Sequence, residues 1–247
     1  MDDRTIEPVV DLSSLRFSWT AAGPPLLEIG TLRVARGERV FLRGRSGSGK
    51  STLLNLLAGV VTPQDGSIRI LGSDLRTLSG AGRDRFRADH IGYIFQMFNL
   101  IAYLSVIENV CLPCGFSEQR RQRAIEGGAS LESEAIRLLR HLDMGDEGLL
   151  RRPVTELSVG QQQRVAAARA LIGAPEVVIA DEPTSALDAN RRAAFLELLF
   201  AQCSRNNTAL VFASHDESLA PLFDRTIELT ELNRAASRAV AAEGARE

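Results

Sequence analysis

A single short segment limits the folds available to this chain more than any other feature. Residues 44–51 read Gly-Arg-Ser-Gly-Ser-Gly-Lys-Ser, which fits the pattern G-x-x-x-x-G-K-[ST] in full. The apolar run Val40-Phe41-Leu42 precedes this segment, and residues 52–58 have the composition of a helix. A glycine-rich turn between a buried strand and a helix lets backbone N–H groups close around a phosphate at the positive end of the helix. We therefore predict a strand–loop–helix phosphate site, here called the phosphate loop.

The phosphate loop gives individual residues expected roles. Lys50 should reach the β- and γ-phosphates of a nucleoside triphosphate, and the Ser51 hydroxyl should bind Mg²⁺. The expected nucleotide-binding residues of this region are Gly44, Arg45, Ser46, Gly47, Ser48, Gly49, Lys50, Ser51 and Thr52.

A second segment supplies adjacent carboxylates after a buried strand. Residues 177–180 are all apolar, and Asp181 and Glu182 follow directly. Ligands of open α/β sheets bind at the carboxyl ends of the strands, so both acids are expected to serve a ligand. Asp181 suits Mg²⁺, directly or through water, and Glu182 could polarise an attacking water. The alternative for Glu182 is an acid near a helix N-terminus, because Pro183 and Thr184 follow it.

Strand-like and helix-like segments alternate along the chain, which predicts an α/β fold with a largely parallel sheet covered on both faces. The predicted strands are Val9–Trp19, Leu27–Val34, Arg39–Arg43, Ser67–Leu71, Ile91–Gln96, Val177–Ala180, Ala209–Ala213 and Arg225–Leu229. The predicted helices are Lys50–Val60, Gln161–Ile172 and Asn190–Ser204, and the pattern is also helical from about Ser105 to Leu142, with a polar interruption at Gln119–Ser130.

Composition and charge argue against several classes of protein. With 29 Lys+Arg against 31 Asp+Glu, the net charge of −2 disfavours a dedicated nucleic-acid binder. Residues 1–4 lack the basic leader and apolar core of a signal peptide. The most apolar stretch, 97–116, is broken by polar residues and by Pro113, so no membrane span is expected.

The cysteines do not indicate a disulfide scaffold. There are three of them, so they cannot all pair, and a reducing cytosol fits. Cys111 and Cys114 form a CxxC that could be redox-active or half of a metal site. Because no second CxxC and no nearby histidine complete a zinc set, we interpret both as apolar fillers of a partly buried segment.

A third motif separates this chain from other proteins with a phosphate loop. Residues 157–164 read Leu-Ser-Val-Gly-Gln-Gln-Gln-Arg, and a helix is predicted to follow. Ser158 and Gly160 would place a hydroxyl and free N–H groups at a helix N-terminus, which is a second phosphate-binding device. One nucleotide loop with two phosphate devices suggests that two copies of the chain share each nucleotide.

On these motifs the sequence resembles the ATP-binding-cassette (ABC) family from about Val9 to Leu229. The resemblance implies an ATPase with ATP and Mg²⁺ as cofactors, in which Ser158, Gly160 and Gln161 contact the nucleotide of the opposite copy. The usual signature of the family is Leu-Ser-Gly-Gly-Gln, and Val159 departs from it at the third position. We expect altered packing or rate from this departure, and no loss of function.

The resemblance also extends to residues outside these motifs. Trp19 is similar to the aromatic that stacks on adenine, and the alternative is an ordinary aromatic of an edge strand. Gln96 resembles the glutamine that senses Mg²⁺ and the attacking water, and His215 resembles the histidine that contacts the γ-phosphate. Residues 185–188 match the loop that crosses the dimer interface. His90 and His141 have no motif around them and are interpreted as surface or packing residues.

The family resemblance implies a domain organisation and partners. We expect a P-loop core with a mostly parallel sheet, an antiparallel β subdomain and a helical subdomain, all within one ATPase domain over residues 1–232. The helical subdomain should span about 97–165, and residues 233–247 form an Ala-rich, charged tail that is either a solvated helix or disordered. The implied partners are a second copy and a membrane-embedded permease, which would hold the chain peripherally at the cytoplasmic face of the cell membrane.

Two surface segments have open interpretations. The sequence around residues 93–110 is similar to the branch that serves lipoprotein release, macrolide export and cell division, and the apolar surface from Met97 to Pro113 is expected to dock the membrane partner. The alternative is that these side chains form the small core of the helical subdomain. The polar run Gln119–Arg123 could touch lipid or a partner, but we interpret it as a solvated helix face.

Two other classes of protein remain to be weighed. A chromosome or repair ATPase would need a long coiled coil between Lys50 and Ser158, and no sustained heptad occurs there. A phosphotransferase would need an acceptor site and would have no use for the signature helix.

Overall fold

The computed structural model describes residues 7–20, 23–126 and 130–235. The strands are β1 Val10–Phe17, β2 Leu27–Val34, β3 Arg39–Arg43, β4 Asp65–Ile70, β5 Ser73–Asp74, β6 Ile91–Ile94, β7 Val177–Asp181, β8 Ala209–Ser214 and β9 Arg225–Glu228. The α-helices are α1 Lys50–Leu57, α2 Gly80–His90, α3 Val106–Cys111, α4 Glu118–Ile125, α5 Leu131–His141, α6 Glu147–Leu150, α7 Val159–Leu171, α8 Ala189–Asn206 and α9 Leu229–Leu232.

The chain divides into two compact units. The first contains the residues up to Asp84 and from Val211 onward, and the second is Arg85–Leu210. One sheet has the order β2-β1-β4-β5, and the other has the order β6-β7-β8-β3-β9, with the division between the units inside β8. The predicted α/β class with a parallel and an antiparallel sheet is confirmed. Most of the predicted tail, residues 236–247, lies outside the described residues.

The antiparallel sheet of the first unit is built from short alternating strands. β1 pairs with both β2 and β4, and its register to β4 shifts between Ser13 and Arg16. At this irregularity Ser14 has φ 49° and Gly66 has φ +90°. A Cβ atom on Gly66 would lie 2.4 Å from the Ser14 carbonyl oxygen, so only glycine fits opposite the bulge.

The second unit is dominated by helices around α7. The apolar face of α7, including Val165 and Ala166, is fully buried, and α7 packs against α3, α5 and β6. Its backbone comes very close to β6, because a Cβ atom on Gly92 would lie 2.2 Å from the carbonyl oxygen of Ala170. Among the described residues, no helix is both long and apolar enough to cross a membrane.

The structure corrects the interpretation of the polar run Gln119–Arg123. This run is part of helix α4, where an interruption was predicted, and Ser117 caps the helix by accepting a hydrogen bond from the Arg120 amide. Arg120 is only 2% exposed, so the interpretation of the run as a solvated face is wrong at this position. Its guanidinium donates to the carbonyls of Ile172 and Ala170, each at 2.8 Å, which are partners far away in sequence.

The structure also shows the surroundings of the two cysteines of the CxxC and of His90. Cys111 is partly buried and Cys114 is buried, and burial raises the pKa of Cys111 to about 12, which favours the thiol form and agrees with the interpretation as fillers. Burial alone would raise the pKa of Glu176, yet hydrogen bonds from His90 and Arg123 lower it to about 2. His90 is therefore a packing residue in an ion-pair cluster.

Candidate functional site

The phosphate loop lies in the first unit, between β3 and α1, as predicted. Gly47 and Gly49 have φ 78° and 100°, values that favour glycine. Gly49 is the N-cap of α1 and provides no side-chain hydrogen bond to the helix. The first N–H groups of α1 are thus not capped by a side chain at this position and can serve a ligand.

The polar side chains of the phosphate loop point back onto the loop. Lys50 is buried, and its Nζ donates to the carbonyls of Gly44 (2.7 Å) and Arg45 (3.3 Å). The Ser48 Oγ is buried and has no hydrogen-bond partner among the described residues. Because a buried hydroxyl without a partner is costly, the loop is built for a ligand that supplies one. Ser51 and the segment 45–47 are exposed.

Two further predicted residues belong to the first unit. Trp19 lies just after β1 and is 63% exposed, with its ring edge-to-face against Phe17 at a centroid distance of 5.1 Å. Its predicted strand ends earlier, at Phe17. His215 follows the end of β8 and is exposed, while Asp216 caps the next 3-10 turn by accepting a hydrogen bond from the Ser218 amide.

The acidic pair belongs to the second unit. Every residue of β7 is buried, and the strand ends at Asp181 itself. Glu182 adopts φ 47°, a left-handed conformation that is rare for glutamate, and the next helix begins only at Ala189 with Asp188 as its cap. The alternative that Glu182 is an acid at a helix N-terminus is thus wrong. Strained conformations of this kind cluster at functional sites.

Gln96 lies at the same sheet edge as the acidic pair. Strand β6 ends at Ile94, which pairs in register with Ala180, the residue before Asp181. The predicted strand was two residues too long, and Gln96 is instead an exposed residue of the following loop. Burial, and then the charge of Asp181, raises the pKa of Tyr93, so the two strand ends share one electrostatic environment.

The signature motif begins helix α7. The Ser158 hydroxyl accepts from the Gln161 amide at 3.4 Å, and the Gln161 side chain accepts from the Ser158 amide at 2.9 Å, so the pair forms a complete capping box. Val159 is 49% exposed at the first helical position. A Cβ atom on Gly160 would meet only the Leu187 side chain, at an ordinary 3.8 Å. The packing of this unit therefore does not require glycine there.

Comparisons with known proteins identify the family. The family model described as ABC transporter matches residues 27–185, which include the phosphate loop, Gln96, the signature and the acidic pair. The chain belongs to the ABC transporter family. It is 40% identical to the uncharacterized ABC transporter ATP-binding protein YbbA of Escherichia coli K12, over 90% of this chain and 95% of that protein.

Other relatives carry more specific names. The chain is 38% identical to the lipoprotein-releasing system ATP-binding protein LolD of Chromohalobacter salexigens, with 83% of each chain covered. It is 39% identical to the macrolide export ATP-binding/permease protein MacB 1 of Aeromonas hydrophila, over 91% of this chain. The chain spans only 34% of the length of that MacB protein.

A solved structure gives the same result for the fold. The dimeric post-hydrolysis state of the ATP-binding cassette MJ0796, bound to ADP and Pi, matches with a TM-score of 0.78 and 31% identity over 92% of this chain and 95% of that one. The chain is thus an ATP-binding and ATP-hydrolysing component of an ABC transporter. The predicted family, fold class and ATPase activity are confirmed.

Sequence analysis missed the buried polar residues that organise the second unit. Asn109 is fully buried, and Arg169 of α7 is 7% exposed. Arg169 interrupts an otherwise apolar stretch, 165–171, and this single charge was the available signal. Arg120 carries no comparable signal, because it lies in the polar run Gln119–Arg123.

Proposed function

We propose that two copies of this chain close over two Mg–ATP, and that the opening and closing of this dimer drives a membrane-embedded permease. The observation that carries the proposal is the phosphate loop, with its uncapped helix N-terminus and its buried Ser48 hydroxyl without a partner. The dimeric form of MJ0796 supports the second copy. The net charge of −2 gives no reason to add nucleic acid to the partners.

The proposed roles at the phosphates follow from side-chain chemistry. Lys50 neutralises charge on the β- and γ-phosphates, and the Ser48 hydroxyl donates to a phosphate oxygen. Ser158, Gly160 and Gln161 act on the nucleotide of the opposite copy. In the capping box the Ser158 and Gln161 side chains only accept hydrogen bonds, so their O–H and N–H donors can serve that nucleotide. Trp19 offers an exposed ring for stacking on adenine, and His215 contacts the γ-phosphate.

The donors available for Mg²⁺ fit that ion. The Ser51 hydroxyl, the Asp181 carboxylate and the Gln96 amide are hard oxygen ligands, which Mg²⁺ prefers. When bound, the ion would neutralise phosphate charge. Within the described ranges, no three His, Cys, Asp or Glu side chains cluster to hold a metal, and Mg²⁺ in such sites is usually held by one or two carboxylates together with substrate phosphates. Glu182 is proposed to accept the proton of the attacking water.

The proposed docking surface for the permease is the exposed part of residues 97–113. Met97 and Tyr103 are 80% and 85% exposed, whereas Phe98 is buried in the second unit. Phe98 therefore belongs to the core of the unit, and the exposed Met97 and Tyr103 are the side chains that we propose for docking. This docking would hold the chain peripherally at the cytoplasmic face of the membrane, as we propose.

The dimer is tested with Glu182→Gln, which keeps the shape of Glu182 but cannot accept a proton. In light scattering, the mass should double from 26.9 kDa on addition of Mg–ATP and should not change with ATP and EDTA. Lys50→Ala in the Glu182→Gln background is the control and should stay at the lower mass. A Glu182→Gln protein that remains monomeric at saturating Mg–ATP would refute the proposed sandwich.

The docking surface is tested with Tyr103→Asp, measured by ATPase activity and by co-purification of the permease. Basal ATPase activity should be retained and permease binding lost, because a charge is introduced at an exposed apolar position. Phe116→Asp is the matched control, since Phe116 is also strongly exposed but lies outside 97–113. Equal permease binding by both variants would contradict the docking surface.

A further inference from the structure

Arg169 is a buried charge that binds only backbone carbonyls among the described residues. It lies near the C-terminal end of α7, and burial lowers the pKa of its guanidinium. Its Nη1 donates to the carbonyl of Asn99 at 2.6 Å, and its Nη2 donates to the carbonyl of Phe98 at 2.5 Å. A buried guanidinium is costly unless its donors are satisfied, so these two bonds fix both partners firmly.

The two carbonyls belong to a strained turn. Phe98 and Asn99 have φ 60° and 49°, so two successive residues other than glycine are left-handed. Such residues cost of order 1–3 kcal/mol each and persist only where the surroundings hold them. Phe98 follows Gln96 by two residues, and its amide donates to the Phe95 carbonyl at 3.0 Å, so Gln96 lies within the turn that this bond closes.

The buried Asn109 side chain holds the residues that follow the Phe98–Asn99 turn. The Asn109 side chain accepts from the Ile101 amide at 2.7 Å and donates to the carbonyls of Ile101 and Leu104. Asn109 belongs to α3, so it fixes the loop from a different helix. Arg169 is thus the contact that ties the Gln96 turn to the signature helix.

Arg120 provides a matched comparison for Arg169. It is also buried, and its guanidinium also donates only to carbonyls among the described residues. Those carbonyls belong to Arg169, Ala170 and Ile172 at the C-terminal end of α7 and to Ile91 at the start of β6, and none of them belongs to the turn after Gln96. Arg120 therefore anchors the helix, whereas Arg169 connects the helix to the turn.

We propose that Arg169 is a positioning residue, which sets the position of Gln96 by holding the Phe98–Asn99 turn against the signature helix. Helix α7 carries Ser158 at its start and Arg169 near its end, so a displacement of the signature reaches the Gln96 turn through a single rigid helix. This inference rests on the proposed role of Gln96 in ATP hydrolysis. A purely structural role would give Arg169 an effect on stability that is independent of Gln96.

The test is a double-mutant cycle on the full chain, with Arg169→Met, Gln96→Ala and the combination of both. Arg169→Met should lower kcat about tenfold with KM for ATP changed less than about twofold, and it should lower kcat by less than about twofold when Gln96 is already alanine. Arg120→Met should lower the melting temperature, and any loss of kcat it causes should multiply with that of Gln96→Ala. Thermal unfolding of each variant is measured in parallel.

Each outcome of this cycle decides a different point. Independent effects of Arg169→Met and Gln96→Ala would overturn the positioning role. A wild-type kcat for Gln96→Ala alone would remove Gln96 from the proposed function, and the inference would fail with it. If Arg169→Met does not fold, Arg169→Lys carries the same test, because lysine keeps the charge but lacks the planar fork that reaches both carbonyls.

Discussion

The N-termini of helices α1 and α7 are both predicted phosphate sites, yet the chain caps them in opposite ways. Helix α1 follows a left-handed Gly49 and has no side-chain cap, whereas α7 begins with the complete capping box of Ser158 and Gln161. The first end is left open for a ligand. The second is stabilised by its own side chains, which accept hydrogen bonds from the helix and keep the Ser158 O–H and the Gln161 Nε2–H groups as donors for a nucleotide.

Because of this difference, substitutions at the two helix ends should affect ATPase activity and folding stability differently. A change at the open end should reduce ATP hydrolysis and leave the fold almost unaffected. A change at the capped end should reduce both, because an N-cap contributes about 1 kcal/mol to stability. Variants at the two ends can therefore break or sharpen the comparison.

The largest effect is expected for Lys50→Ala at the open end. Loss of the ammonium group should lower the ATPase rate by roughly 100-fold or more, because phosphate charge is no longer neutralised. Circular dichroism should show a retained fold, since the Lys50 Nζ donates to the carbonyls of Gly44 and Arg45, which border the exposed segment 45–47. Near-wild-type turnover would exclude the phosphate loop from catalysis.

Ser158→Ala should have the next largest effect and should change two quantities. The free energy of unfolding should fall by about 1 kcal/mol through loss of the cap, and the ATPase rate should fall about tenfold through loss of the hydroxyl at the nucleotide. Ser130→Ala is the matched control, because Ser130 caps α5 in the same unit and has no proposed contact with ATP. An Ser158→Ala protein that behaves like Ser130→Ala would show that this end is only a helix cap.

Gln161→Ala opens one half of the capping box. Its side chain accepts from the Ser158 amide, so the variant should lose about 0.5 kcal/mol of stability, measured by urea denaturation. ATPase activity should fall less than in Ser158→Ala, because the serine hydroxyl remains. A larger loss of activity than in Ser158→Ala would reverse the order of importance of the two residues.

Val159→Gly should have the smallest effect. Val159 is half exposed at the first helical position, and glycine should cost about 0.4 kcal/mol there through helix propensity alone. The affinity of the monomer for ATP should not change, because we propose that position 159 acts on the nucleotide of the other copy. A large change in that affinity, measured by isothermal titration calorimetry, would contradict this placement.

Local sequence patterns predicted much of the fold. The buried strand before Asp181 and the strand–loop–helix around the phosphate loop lie where expected, because each is defined by neighbouring residues. Helix α8 was predicted within two residues at each end. Helix α4 was predicted only as a polar interruption or a solvated helix face, because the carbonyls that bind its buried Arg120 are distant in sequence.

In the candidate site, too, residues of local motifs were predicted and contacts between distant residues were not. Motif residues such as Lys50 and Asp181 are identified by their spacing, since phosphate chemistry requires particular residue types next to each other. The carbonyls that bind Arg169 are about 70 residues away in sequence, and every residue has a carbonyl. No side-chain pattern can reveal such a partner, so the connection between α7 and the turn is visible only in three dimensions.

The close packing at Gly92 limits which substitutions this position can accept during evolution. A methyl group there would collide with the carbonyl oxygen of Ala170, and that same oxygen accepts a hydrogen bond from Arg120. The oxygen therefore cannot move away from β6 without disturbing a buried arginine. A side chain at position 92 would therefore disturb β6, the end of α7 and the Arg120 contact together, so a substitution of this glycine is expected to be tolerated only with compensating changes in those elements.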